Sequence, residues 1–199
     1  MIFTGLKNIL PPSSAKLQEE EWHGAVCCIL LHQHIVFIKR SEEMPTHRGE
    51  LAFPGGHRKG NETIFQTAMR EFHEEMGSAF NPSFIGILPQ AQTTMGQKIW
   101  PVLLELEISK EDFFKKVESN GEWAELFLVP IANLMEKESW GYATRIREND
   151  SKPIFFFPLK AYTYESLNSP NKRSHTLWGM TAKVVLDLLK ILQTNNQEK

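Results

Sequence analysis

The sequence predicts an α/β protein, an α/β/α sandwich on a mixed sheet, and three observations carry the prediction. Apolar runs of strand length recur along the chain, a segment at 64–76 repeats its apolar residues every four positions, and an amphipathic segment closes the series at 176–192. Strands interleaved with helices give each sheet face a helical layer to bury against.

Pro11-Pro12-Ser13-Ser14 ends an N-terminal extension of about residues 1–22, and a helical turn at 15–21 is expected behind a Ser13 or Ser14 cap, whose hydroxyl answers free backbone N–H groups. Residues 25–31 and 35–39 read as strands joined near His32-Gln33-His34. That His-x-His lacks a third ligand and reads as an exposed turn. Ile64, Ala68, Phe72 and Met76 line one stripe of the helix at 64–76, with Gly77 as its C-cap. Residues 84–88 and 99–108 are further strands, and Ser109 with Asp112 opens a helix through 118 in the manner of a capping box. A strand at 126–129, a helix at 131–137, a strand at 154–159 and the helix at 176–192 complete the series. Phe155-Phe156-Phe157 fits either a dimer interface or a buried core strand.

Composition narrows the function. The chain has 199 residues, 41% hydrophobic and 23% charged, which suits one core and a single domain over 1–199. A net charge of −2 gives no general attraction to nucleic acid or anionic membrane, so phosphate binding must come from a local cluster, and Arg40, His47, Arg48, His57, Arg58 and Lys59 supply one. Adjacent Cys27 and Cys28 in an apolar run read as reduced core thiols. The chain lacks an apolar run long enough to span a membrane, its first residues do not read as a signal peptide, and Gln197-Glu198-Lys199 is not a peroxisomal address; a cytoplasmic location is expected.

The chemistry concentrates in 55–77. Glu71, Glu74 and Glu75 sit in the closing turns of the 64–76 helix, where negative charge opposes the helix dipole and like charges three and four residues apart repel. Their spacing projects them away from the apolar stripe, and Arg70 stands four residues before Glu74. A hard divalent cation, which takes carboxylate oxygens together with substrate phosphates, turns this liability into a site.

Gly56, five residues, Glu62, seven residues, then Arg70-Glu71-Phe72-His73-Glu74-Glu75-Met76-Gly77 resembles the Nudix box G-x5-E-x7-R-E-U-x-E-E-x-G-U, spanning 56–78, where U is a bulky aliphatic residue. Phe72 and Ser78 depart at the two U positions. Upstream, Arg40-Ser41 and His47-Arg48-Gly49-Glu50-Leu51-Ala52-Phe53-Pro54-Gly55-Gly56 are similar to the extended signature of the coenzyme A pyrophosphatase branch, with Leu51 in place of a β-branched residue. Trp178-Gly179-Met180-Thr181-Ala182 resembles the W-G-x-T-A that opens that branch's last helix.

The resemblance implies the Nudix α/β/α sandwich and a metal-dependent pyrophosphohydrolase. It implies Glu71, Glu74, Glu75 and the backbone carbonyl of Gly55 as ligands of Mg²⁺ or Mn²⁺, Arg70 as the group orienting the glutamates, and Glu62 as a structural anchor of the loop. The general base is Glu71 or a later acid among Glu105, Glu107, Glu118, Glu122 and Glu125; Glu122 and Glu125, in Gly121-Glu122-Trp123-Ala124-Glu125, resemble a segment common in the family, and Glu122 is taken as the candidate. Arg40, His47 and Arg48 are the expected substrate contacts. The implied substrate is a small nucleotide, coenzyme A or an acyl derivative split to 3′,5′-ADP and 4′-phosphopantetheine. ADP-ribose, NADH or a nucleotide sugar is the alternative, and a non-catalytic nucleotide-binding module is a third reading that intact box carboxylates disfavour.

Overall fold

Strand β1 (Gly24–Leu31) carries no charged residue and is buried along its whole length, and the fold is built around it. The computed structural model describes residues 21–147, 150–159, 164–167 and 174–197; the helical turn expected from Ala15 onward lies outside them. Because side chains alternate along a strand, Ala25, Cys27, Ile29 and Leu31 enter one core while Val26, Cys28 and Leu30 enter another. A strand that is apolar at every position is what a sheet covered on both faces requires.

β1 pairs antiparallel with β2 (His34–Arg40) across the His32-Gln33 turn, where His32 takes φ 51°, and parallel with β7 (Lys98–Leu106) along its full length. With β8 (Trp123–Pro130), β11 (Glu165–Leu167) and β5 (Ser83–Ile87) the order is β11-β8-β2-β1-β7-β5, a mixed sheet as expected. Short strands β3 (Leu51–Ala52), β4 (Gly55–His57) and β6 (Ala91–Gln92) pair with β2, β1 and β7. A three-stranded sheet, β12 (His175–Trp178), β10 (Asp150–Leu159) and β9 (Gly141–Arg147), stands beside it.

Helix α1 (Ile64–Met76) packs Ile64, Ala68, Phe72 and Met76 on one face of β1, together with Phe113 of α2 (Lys110–Lys116). Truncating fully buried Phe72 to Ala costs about 3–5 kcal/mol. Thr63 caps α1 through a capping box: its hydroxyl accepts from Gln66 N at 3.1 Å and Gln66 Oε1 accepts from Thr63 N at 2.8 Å. Gly77 ends the helix at φ 91° with its N–H donating to His73 O. On the other face α4 (Gly179–Gln197) buries Ala182, Val185 and Leu188 against the core that holds Val26 and Cys28.

Two expectations need correction, and one open alternative divides residue by residue. The last helix starts at Gly179 and not at residue 176, because Thr176, Leu177 and Trp178 pair with Pro158, Phe157 and Phe156 and the chain leaves the strand through Gly179 at φ 61°. The helix expected at 131–137 is a four-residue turn, α3 (Ile131–Leu134), followed by a 3-10 turn at Lys137–Ser139. The Phe155–Phe157 run is divided by its strand: Phe157 is buried, Phe155 is half-buried against the core, and Phe156 is exposed.

Candidate active site and metal centre

The glycine loop is laid flush on the start of β1. Gly55, Gly56 and His57 pair with Val26, Ala25 and Gly24, and the fit leaves no room for side chains: a Cβ on Gly24 would stand 2.4 Å from the Gly56 carbonyl oxygen. A Cβ on Gly56 would stand 2.4 Å from Oε1 of Glu71, so the missing side chain is what lets the loop approach the helix carboxylate.

Arg70 sits between the loop and the acids. Its Nε and Nη2 donate to Glu62 Oε1 and Oε2 at 2.7 and 3.0 Å, Nη2 also reaches His57 O at 2.9 Å, and Nη1 donates to Glu71 Oε1 at 2.6 Å and Glu74 Oε2 at 3.3 Å. Glu62 further accepts from Lys59 N and Thr67 Oγ1. The Arg70 guanidinium, then the Lys59 N–H, hold the Glu62 carboxyl down at about 2.

The acids are not on an exposed face, as their spacing suggested. Glu71 is 7% exposed and Glu75 0%, because helix and loop close over them, while Glu74 stays in solvent beside Lys59, whose Nζ lies 3.4 Å from Glu74 Oε1. Glu75 Oε1 accepts from Gly55 N at 2.7 Å, and its Oε2 is buried with no hydrogen-bond partner. Burial pushes the Glu75 carboxyl up to about 8, the Gly55 N–H opposes this, the charges of Glu122 and Glu71 add to it, and Arg40 pulls the other way.

Among the described residues no three carboxylate, thiol or imidazole groups converge as a ready metal cage; Glu71 and Glu74 turn their oxygens to Arg70 instead. The donor chemistry still fits a hard divalent cation. It is oxygen only, it includes a buried carboxylate oxygen that lacks any partner, and Glu71 and Glu122 add unfavourable charge that a cation would offset.

A cavity of about 690 Å³ opens over this group. Gly55, Gly56, Glu71, Glu74 and Glu122 line it, with Arg40, His47 and Lys59 beside them. Arg40 comes from the end of β2, where a register shift in the β2–β8 pairing re-aims the strand, and its Nε is buried without a partner. His47, at φ 56°, has Nδ1 3.0 Å from Glu50 Oε2. Arg48 departs from expectation: it is exposed, its Nε donates to Met44 O at 2.6 Å to shape the loop, and it is not among the residues lining the cavity. Glu75 and Arg70 lie one layer behind the lining.

Two walls come from elsewhere in the chain. Trp178 to Thr181 closes one side, and Thr93, Thr94, Met95 and Gln97 of the β6–β7 hairpin close another. The hairpin is tied to the glycine loop through Gln97 Nε2, 3.1 Å from His57 Nε2. Sequence reasoning did not find this hairpin; its only local signal is Gly96, at φ 86°.

The remaining candidates lie away from the cavity. Cys27 and Cys28 are buried free thiols with pKa values pushed up by burial, and Cys27 Sγ donates to Ala68 O. His32 is exposed in its turn, whereas His34 is half-buried near Lys110 and Glu165. Among the described residues no helix is long and apolar enough to cross a membrane.

Comparison with known proteins gives a family and a set of distant relatives. Residues 21–148 match the model of the NUDIX domain. The chain is 26% identical over 192 residues to the Nudix hydrolase NudL of Photorhabdus laumondii, covering 92% of each chain. It is 25% identical to the human mitochondrial coenzyme A diphosphatase NUDT8, over 94% of this chain and 76% of that one. It is 29% identical to the peroxisomal coenzyme A diphosphatase ndx-8 of Caenorhabditis elegans, over 66% of this chain and 58% of that one.

Proposed function

The chain belongs to the Nudix hydrolase family, and from that premise we propose that it cleaves the diphosphate of coenzyme A or an acyl-coenzyme A, releasing 3′,5′-ADP and (acyl-)4′-phosphopantetheine. One observation carries the choice of substrate: a single cavity gathers the acidic loop and helix, the Arg40 and His47–Gly56 segment, and the Trp178–Thr181 segment. These are separate in sequence and have no stability reason to meet, so a shared ligand is the simplest cause. Two relatives that bear coenzyme A diphosphatase names support the same reading.

Glu71, Glu74, Glu75 and the Gly55 carbonyl are the oxygens we assign to hold Mg²⁺ or Mn²⁺. A divalent ion there would neutralise diphosphate oxygens and lower the pKa of a water molecule. Arg70 keeps Glu71 and Glu74 in place, and Arg40, His47 and Lys59 face the phosphates. Glu122, half-buried at the cavity wall, accepts the proton as the water oxygen bonds to phosphorus and the anhydride P–O bond breaks, its electrons leaving with the departing phosphate. We assign the protein to the cytoplasm, a location consistent with two buried, unoxidised thiols, and read 1–199 as one domain because the cavity draws on both its early and late segments.

The test is a panel of coenzyme A, 3′-dephospho-coenzyme A, ADP-ribose, NADH and a nucleotide sugar, with Mg²⁺ or Mn²⁺ and products identified by mass. Coenzyme A or an acyl form has the highest kcat/KM. A preference of about tenfold for ADP-ribose or a nucleotide sugar, roughly 1.4 kcal/mol in transition-state binding, overturns the coenzyme A reading.

A further inference from the structure

Glu122 lies in the turn that runs from α2 into β8 past the end of α1. A helix leaves its last four carbonyls without partners inside the helix, and this turn answers two of those of α1: the Trp123 indole N–H donates to Glu75 O at 2.7 Å and the Glu118 N–H to Met76 O at 3.3 Å. Trp123 is buried in the core that holds Phe72 and Met76, so its indole anchors the turn to the helix from below. On the other side the Ser41 N–H donates to Glu122 O at 2.8 Å, one residue beyond Arg40, which pairs with Trp123. The backbone of Glu122 is thereby fixed against both the helix that carries Glu71, Glu74 and Glu75 and the strand that carries Arg40.

These bonds leave the carboxylate itself free to turn on its stem, and Asn120 supplies what they lack. Its Oδ1 accepts from the Glu122 N–H at 3.0 Å, and its Nδ2 donates to Glu122 Oε1 at 3.1 Å, so one amide grips the backbone and the side chain of the same residue. The backbone N–H requires an oxygen opposite it, which sets the amide the right way round and turns the NH₂ to the carboxylate. Ser119 closes the frame: its hydroxyl accepts from Gly121 N at 3.1 Å and donates to Trp123 O at 2.9 Å, with Gly121 at φ 93° between them. An aspartate at 120 would serve the backbone N–H equally well but would present a second negative oxygen to Glu122. Asparagine at this position therefore has its reason in the carboxylate and not in the turn.

We propose that Asn120 is a positioning residue for the hydrolysis: it holds Oε1 of Glu122 and leaves Oε2 to take the proton from the water that attacks phosphorus. The inference rests on the assignment of Glu122 as proton acceptor and is independent of which nucleotide fills the cavity. A base counts only when its oxygen lies within hydrogen-bond reach of the proton it removes, so a glutamate at a cavity wall gains from a clamp that removes its other rotamers. Asn120 acts through Glu122 and touches neither substrate nor metal in this role.

The experiment measures kcat and KM separately, under saturating Mg²⁺ and on whichever nucleotide of the panel above is cleaved best. It compares the intact protein with Asn120→Asp, Asn120→Ala, Glu122→Gln and the double variant of Asn120→Asp with Glu122→Gln, with thermal melting to verify folding. Glu122→Gln lowers kcat by about 100-fold or more, the lower end for losing a positioned base. Asn120→Asp keeps the bond to the backbone N–H and melts with the parent, yet lowers kcat by about tenfold with KM unchanged within about twofold. Asn120→Ala falls at least as far. In the Glu122→Gln background Asn120→Asp costs less than about twofold, because no carboxylate is left to aim. If Asn120→Asp turns over within about twofold of the parent, loses only in KM, or costs about tenfold in both backgrounds, the positioning role is overturned while Glu122 remains the base. A Glu122→Gln variant with near-native turnover removes the base assignment first and the role of Asn120 with it.

Discussion

The backbone N–H of Gly55 donates to Oε1 of Glu75 at 2.7 Å, while the other oxygen of the same carboxylate is buried with no partner. The loop is thus pinned to an acid whose second oxygen has no hydrogen-bonding reason to be where it is. Replacing Glu75 by Gln keeps an acceptor for Gly55 and removes the charge. Turnover under saturating Mg²⁺ then falls by about 100-fold or more, the upper end for disturbing a metal's immediate surroundings, while the far-ultraviolet dichroism is unchanged. Near-native turnover sinks the assignment of Glu75 to the metal.

The same residue sets a pH dependence. Its folded pKa, about 8, lies above the ordinary value of 4.5, so between these the native state holds the proton more tightly than the unfolded chain. Stability therefore falls as pH rises through that window. In EDTA the Tm declines from pH 5 to pH 8.5, Glu75→Gln flattens the decline, and Mg²⁺ raises Tm more at pH 8.5 than at pH 6. Calorimetry showing no difference between the protein and Glu75→Gln across this range refutes the linkage.

Arg70 offers a fork that lysine cannot copy. It bonds Glu62 through two nitrogens and reaches Glu71, Glu74 and His57 O with the same group. Arg70→Lys loses at least one charge-assisted bond, about 1.5–3 kcal/mol, which for a chain of this size lowers Tm by about 3–12 °C. In acid, the stability that Glu62 draws from Arg70 is lost as pH falls from 4.5 toward 2, and this loss is smaller in the lysine variant. A Tm within about 1 °C of the parent contradicts the role given to the fork.

Gly24 and Gly56 separate stability from activity. A Cβ on Gly24 meets backbone, the Gly56 carbonyl at 2.4 Å, whereas a Cβ on Gly56 meets the Glu71 carboxylate, a side chain able to move. Gly24→Ala lowers Tm by several degrees. Gly56→Ala melts near the parent but binds Mn²⁺ more weakly, as titration calorimetry reads directly. The reverse ranking argues against a loop shaped around Glu71.

These residues mark how far the sequence was legible. Apolar spacing gave β1, α1 and the mixed sheet, since period and burial are local and strong there. The grouping of Gly56, Glu62 and Arg70-Glu71 with Glu74 and Glu75 was visible as a motif. The burial of Glu71 and Glu75 was not, because it depends on a loop that docks through β4. Thr176 to Trp178 read as helix from its neighbours, and only pairing with β10 makes it strand. The β6–β7 hairpin gives a cavity wall through long-range placement that no local period encodes. Arg48 looked equal to Arg40 in a run of cations, and the geometry separates them: Arg40 lines the cavity and Arg48 bonds a loop carbonyl.

Arg40 carries the last prediction. Its Nε is buried without a partner, it lines the cavity, and its charge lowers the pKa of Glu75 against the push of burial. A guanidinium held this way at the mouth of an acidic site is costly unless an anion reaches it, and under the function proposed above that anion is the substrate diphosphate. Arg40→Ala removes one charge-assisted contact of about 1.5–3 kcal/mol, lowering kcat/KM by about 10- to 150-fold. Arg40→Lys restores charge without the fork and recovers only part of the loss. Arg48→Ala, which removes a cation of the same loop outside the cavity, changes kcat/KM several-fold less than Arg40→Ala. Equal effects of the two alanine variants on the best substrate mean that Arg40 acts through general charge and not by contact with the phosphates.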